Sequence, residues 1–172
     1  MVFSSGKPGA TVMLVGEQPG DVEDQEGVPF VGPAGRLLQR ALDDAGLARE
    51  DTYLTNAVKH FRFTSRGKRR IHEKPDLVHL VACLPWLDAE LREVNPQLIV
   101  AMGATAARSL LGPGIKVTKQ RGEILDRDTP SGKRQFMVTV HPSSILRTRD
   151  DREKAYQALV DDLKTAAETV RA

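Results

Sequence analysis

Lys68-Arg69-Arg70-Ile71-His72 sets one imidazole at the end of a dense run of cations. From Lys59 to Lys74 the chain carries seven Lys or Arg residues, at 59, 62, 66, 68, 69, 70 and 74, against a single acid, Glu73. A basic loop of this kind can hold a phosphate backbone, and a histidine in it can reach what the backbone carries. A solvated surface loop with a stray histidine has the same composition, so the rest of the chain must decide between them.

Further segments offer chemistry of their own. Gly16-Glu17-Gln18-Pro19-Gly20-Asp21 is a tight turn that presents a carboxylate and backbone N–H groups to one small volume. Read alone, it is as well a structural turn as a site. Phe30, within Gly27 to Gly35, is either a core plug or a platform for a planar ligand. The amide of Asn56 offers a donor and an acceptor side by side, which matches the imide edge of a pyrimidine; it serves equally to bond its own backbone. His141-Pro142-Ser143-Ser144, with Arg147 and Arg149 beyond, combines hydroxyls and cations suited to phosphate with an imidazole suited to a developing oxyanion.

What positions these residues is an alternation of strands and helices. Thr11 to Val15, Thr52 to Val58 and Leu98 to Met102 read as strands, and two more fall between Gly122 and Val140 around a turn at residues 129–132. Helical spacing runs through Arg36 to Ala45, capped by Gly46, through Leu77 to Val94, after Gly103 as far as Leu111, and along Tyr156 to Val170. Pro85 predicts a kink or a division into two pieces. The pattern is an α/β fold with a parallel sheet covered on both faces, whose ligands bind at the carboxyl ends of the strands. Every segment named above follows such an end or leads on from one.

The totals set limits. With 172 residues, one domain spanning 1–172 is expected. The net charge of +2 does not by itself imply nucleic acid; only its uneven distribution does. No run approaches the roughly 20 apolar residues of a membrane span, and a single cysteine, Cys83, fits a reducing cytoplasm. No recognisable phosphate loop or dinucleotide fingerprint is present, which counts against a nucleotide-binding protein of metabolism.

On Gly16 to Asp21, Gly27 to Gly35, Thr55 to His60, Lys68 to His72 and His141 to Ser144, in that order, the sequence resembles the uracil-DNA glycosylase superfamily. It is most similar to the iron–sulfur branch called family 4, and within that to the UdgX-type members marked by the basic loop ending in His72. The resemblance implies a three-layer fold around a mainly parallel four-stranded sheet. It implies that Phe30 stacks on the flipped uracil, Asn56 reads its imide edge, and His141 donates to the oxygen that gains charge. By the same resemblance Glu17 would stand beside the sugar, with Gln18 backing it at the base; Ser143, Ser144, Arg147, Lys68, Arg69 and Arg70 would grip DNA; and His72 would bond to the sugar. Family 4 relatives hold a [4Fe–4S] cluster with four ligands, of which only His60 and Cys83 have matching positions here. Half a ligand set cannot hold the cluster, so none is expected in the chain as given, either because this member dispenses with it or because a preceding segment that carries the other ligands is missing; Cys83 then becomes a core thiol.

The expected activity is therefore cleavage of the deoxyuridine N-glycosidic bond, single strands preferred, with His72 capturing the sugar in place of water. The protein would work as a monomer with DNA as its partner. A conventional glycosylase that releases uracil catalytically, and a non-catalytic single-strand binding module, are the rival readings.

Overall fold

A computed structural model describes residues 1–129 and 132–172. In chain order, β1 (Val12–Gly16) leads through α1 (Asp21–Glu26) and α2 (Pro33–Ala45) to β2 (Thr52–Asn56). A hairpin of β3 (Phe63–Arg66) and β4 (Arg69–His72) precedes the long α3 (Leu77–Val94). Then come β5 (Leu98–Met102), α4 (Ala104–Leu111), α5 (Val117–Gln120), β6 (Ile124–Thr129), β7 (Gly132–Thr139), α6 (Pro142–Arg147) and α7 (Arg152–Arg171).

The apolar runs become strands because both sheet faces are covered. Val12 and Leu14 join Leu98 and Val100 in a core against Leu38 and Leu42 of α2 and Leu159 and Leu163 of α7. Met13 and Val15 face the other way, with Ile99 and Ala101, onto Leu80 and Leu87 of α3 and Ala106 of α4. That period-two division makes three layers, as expected. Each fully buried leucine contributes roughly 2 kcal/mol of burial free energy.

The sheet order is β2-β1-β5-β7-β6, with the first four strands parallel and β6 antiparallel to β7. The implied four-stranded parallel sheet is thus present with a fifth strand on its edge, held by the ladder from Ile124↔Met137 to Thr129↔Gly132. Pro130 and Ser131, the centre of the turn expected there, lie outside the described residues.

Two other expectations change. Helix α3 is one element through Pro85, so of the two outcomes the sequence predicted there, a kink or a division, the division does not occur. Pro85 and Val81 both lie on an exposed stretch of the helix, where a lost backbone bond costs least. The basic loop is not a loop but the hairpin β3–β4, turning at Gly67 with φ +60°. Its strands are four residues long, and their charges hide the alternation that would have shown them.

Candidate active site

Strands β1, β2, β5 and β7 all end at one edge, delivering Gly16, Asn56, Met102 and the segment into His141 to one place. A cavity of about 790 Å³ opens there, and Glu17, Phe30, Asn56, His72, Thr105 and His141 line it. Gly16, the last residue of β1, lies beside it. A Cβ at that position would collide with Asn56 Oδ1, lie 2.8 Å from Phe30 Cζ and 3.3 Å from His141 Nε2. Three of the four side chains expected on the uracil, Phe30, Asn56 and His141, therefore converge on one point.

Each is held by its own local device. Phe30 sits at φ +58°, a conformation that costs a non-glycine residue free energy, and Gly35 lies so close to the Phe30 backbone that no side chain would fit. The buried Glu23 accepts the Gly32 N–H at 2.9 Å and braces the same loop. Asn56 is 2% exposed, and its Oδ1 is buried with no hydrogen-bond partner. The alternative of bonding its own backbone is thereby excluded. A buried acceptor left empty costs about 1–3 kcal/mol unless something fills it.

His141 caps α6. Its Nδ1 receives the Ser143 N–H at 3.2 Å and lies 2.8 Å from Ser143 Oγ, which Arg147 Nη1 contacts at 3.2 Å. A backbone donor on Nδ1 requires that nitrogen to be unprotonated, so the neutral ring carries its hydrogen on Nε2, facing Gly16 and Phe30. Burial first, then Arg147 and His72, push the pKa of His141 down to about 4. The ring is a neutral donor at physiological pH. Ser144 Oγ donates to the His141 carbonyl at 2.7 Å. Ser143, Ser144 and Arg147 thus shape α6 around His141, and the exposed Arg147 keeps N–H groups free for a phosphate.

The hairpin brings in His72. Its Nε2 stands 3.4 Å from Glu17 Oε1, while Thr105 Oγ1 donates a short hydrogen bond to Glu17 Oε2. Thr105 was not foreseen; its place at the carboxyl end of β5, just past Gly103, was the available signal. Gln18 differs from expectation in its partners: although it lines the cavity, its amide donates to Arg62 O at 3.3 Å and Glu73 O at 3.1 Å and accepts from Arg62 N at 3.2 Å. It clamps the two feet of the hairpin together.

Arg70 differs too. It pairs with Asp21 at 2.5 Å and Asp24 at 2.6 Å and lies over the rings of Phe61 and Phe63. An arginine so occupied latches the hairpin to α1 and has little left for DNA. Lys59 is wholly buried, and Arg62 pairs with Asp76 at 2.6 Å. Of the seven cations between Lys59 and Lys74, those that face solvent without an ion pair among the described residues are Arg66, Lys68, Arg69 and Lys74. The basic field is narrower than the sequence suggested, and it surrounds the tip and outer foot of the hairpin.

Cys83 is buried in the core and its sulfur takes the Lys59 N–H at 3.4 Å, while His60 is exposed. Among the described residues no three His, Cys, Asp or Glu side chains stand together as a metal site. The residues present do not fit a four-ligand iron–sulfur cluster, and no step of the chemistry is assigned to one. No described helix is long and apolar enough to cross a membrane.

Comparison with known proteins bears on the same edge of the sheet. The family model described as the uracil DNA glycosylase superfamily matches residues 3–164, which include every strand end above. A type-4 uracil-DNA glycosylase of Thermotoga maritima is 34% identical over 172 residues, covering 99% of this chain and 83% of the relative. Another from Pyrobaculum aerophilum is 34% identical over 140 residues, covering 79% of this chain and 68% of its own length. With sheet order, cavity and sequence in agreement, the chain belongs to the uracil-DNA glycosylase superfamily.

Proposed function

We propose that this chain excises uracil from DNA, single strands in preference to duplex, and is captured by its own product as a covalent adduct of His72 with the deoxyribose. That assigns it to the UdgX-type branch, as a single-domain cytoplasmic monomer. One observation carries the reading: His72 Nε2 lies at the cavity, 3.4 Å from Glu17, where a hydrolytic water would otherwise stand.

The chemistry divides among the residues. A flipped uracil stacks on Phe30 and offers its N3–H to the empty Asn56 Oδ1. Cytosine has no such hydrogen and would leave that acceptor unpaired, which is a strong ground for discrimination. As the C1′–N1 bond breaks, its electron pair goes to the base, and the His141 Nε2–H meets the oxygen that gains the charge. The lone pair of His72 Nε2 forms the new bond to C1′. For this Nε2 must have given up its proton, with the ring hydrogen on Nδ1, and Glu17 Oε1 is the adjacent acceptor. Glu17 faces the attacking nitrogen rather than the remote one, so the last ring proton passes to solvent. The product is a neutral N-alkyl imidazole, a poor leaving group.

The direct test uses the wild-type chain and a uracil-containing single-stranded oligonucleotide on a denaturing gel. A shifted band that survives boiling in detergent is expected. Uracil in molar excess without such a band would instead identify a conventional glycosylase. Equal affinity for strands with and without uracil, with neither product nor adduct, would identify a binding module.

The ion pairs of the hairpin make a second prediction. Lys68→Ala or Arg69→Ala should each lower the slope of log K against log salt by about 0.7 on single strands, one phosphate contact apiece. Arg70→Ala should leave that slope nearly unchanged and slow adduct formation instead, because it frees the hairpin that carries His72.

A further inference from the structure

A lysine with no exposed surface lies directly behind the base-reading asparagine. Lys59 Nζ donates to the Asn56 main-chain carbonyl at 2.8 Å, to Thr55 Oγ1 at 2.6 Å and to Glu90 Oε2 of α3 at 2.6 Å. All three donors of the ammonium are used. Thr55 Oγ1 also lies 3.0 Å from each Glu90 oxygen, and Tyr53 OH reaches Glu90 Oε1 at 3.4 Å. Burial lowers the Lys59 pKa while Glu90 holds it up.

The turn so fastened touches both halves of the site. Its Ala57 N–H donates to Gly16 O at 2.9 Å, and its Val58 N–H donates to Glu17 O at 2.9 Å. The remaining backbone groups of Lys59 are taken as well, its N–H by Cys83 Sγ and its carbonyl by the Val2 N–H. Residues 56–59 thus join the backbone of Glu17 to that of Asn56, and the ammonium underneath is their only charged support among the described residues. A well-packed apolar pair would stabilise such a spot as well or better, so an ion pair here calls for a role other than stability.

We infer that Lys59 and Glu90 form a positioning pair, which fixes the 56–59 turn so that Asn56 and Glu17 hold their places relative to a bound uracil. The inference rests on the reading that Asn56 receives the base. It adds residues that touch neither base nor sugar and act through those that do.

Removing one partner alone leaves a buried charge and endangers folding. The informative variant is therefore Lys59→Met with Glu90→Met, which removes both charges and keeps the volume. Under single-turnover conditions at saturating uracil-containing single strand, its rate should fall roughly 10- to 100-fold, the scale expected for a small misplacement of reacting groups. Its Kd for the strand should change by less than about threefold, since the pair is remote from the phosphates. In an Asn56→Ala background the same pair of changes should cost clearly less than in the wild type, because the share that acts through Asn56 is already lost and only the share through Glu17 remains. Amide exchange at Ala57 and Val58, measured without DNA, should quicken. A double variant with wild-type rate and wild-type exchange overturns the inference. So does a full, additive loss in the Asn56→Ala background, which a general structural defect would produce. Because the exchange measurement needs no substrate, it reports on the turn even if the wild-type chain proves not to process uracil.

Discussion

His72→Ala should abolish the detergent-resistant band and convert the protein into one that releases free uracil. The first half follows from removing the imidazole nitrogen that stands beside Glu17; the other imidazole there, His141, has Nδ1 taken by Ser143 and turns a protonated Nε2 to the base. The second half follows from what remains. Glu17 keeps its bond from Thr105, and the space vacated beside Oε1 admits a water that this carboxylate can orient. Uracil released should then pass from stoichiometric to many equivalents per chain. The pairing of loss and gain makes the test sharp. A band that persists in His72→Ala excludes the nucleophile assigned here. A protein that loses the band and releases nothing shows that His72 serves the bond-breaking step itself. Glu17→Gln in the His72→Ala background should stop release again, since a neutral amide orients water poorly as a base.

How much of this could be read without coordinates depended on distance along the chain. Strands β1, β2 and β5 were legible as short apolar runs between turn residues, and with them the edge where ligands bind. Phe30, Asn56, Glu17 and His141 follow strand ends or Gly-rich turns, so their residue types and places spoke together. The partners of Gln18 and Arg70 were hidden for a common reason. Their partners are 44 to 55 residues away, and nothing local says that an amide clamps Arg62 to Glu73 or that a cation in a basic run is spent on Asp21 and Asp24. Lys59 shows the same limit more strongly. It counted towards a solvent-facing cluster, but its true partner is Glu90 on another layer. The hairpin escaped notice because its exposed strands lack the apolar alternation by which strands are found.

His141→Ala should slow base release by about 10² to 10³, the usual cost of losing one donor to a developing oxyanion. Its neighbours allow a graded prediction. Ser143→Ala removes one contact with Nδ1 but leaves the Ser143 backbone N–H in place, so the tautomer survives and the loss should be only several-fold, far below the roughly 10² of His141→Ala. The direction of the pH dependence is also fixed. With a folded pKa of about 4 against an unperturbed value of 6.5, the ring stays a neutral Nε2–H donor through the range where an ordinary histidine would charge. Between those two values the unfolded chain binds a proton that the folded chain refuses. Folding stability therefore falls as pH drops from about 6.5 towards 4, and it owes nothing to this ring above that window. His141→Ala should lose that part of the acid sensitivity while losing the rate. Measuring the melting temperature of both proteins across this range separates the two effects. If the wild-type and His141→Ala curves run parallel from neutral pH to pH 4, His141 titrates normally and the donor geometry argued here is wrong. If they diverge on acidification, the same burial that makes the ring a permanent donor accounts for its cost to the fold.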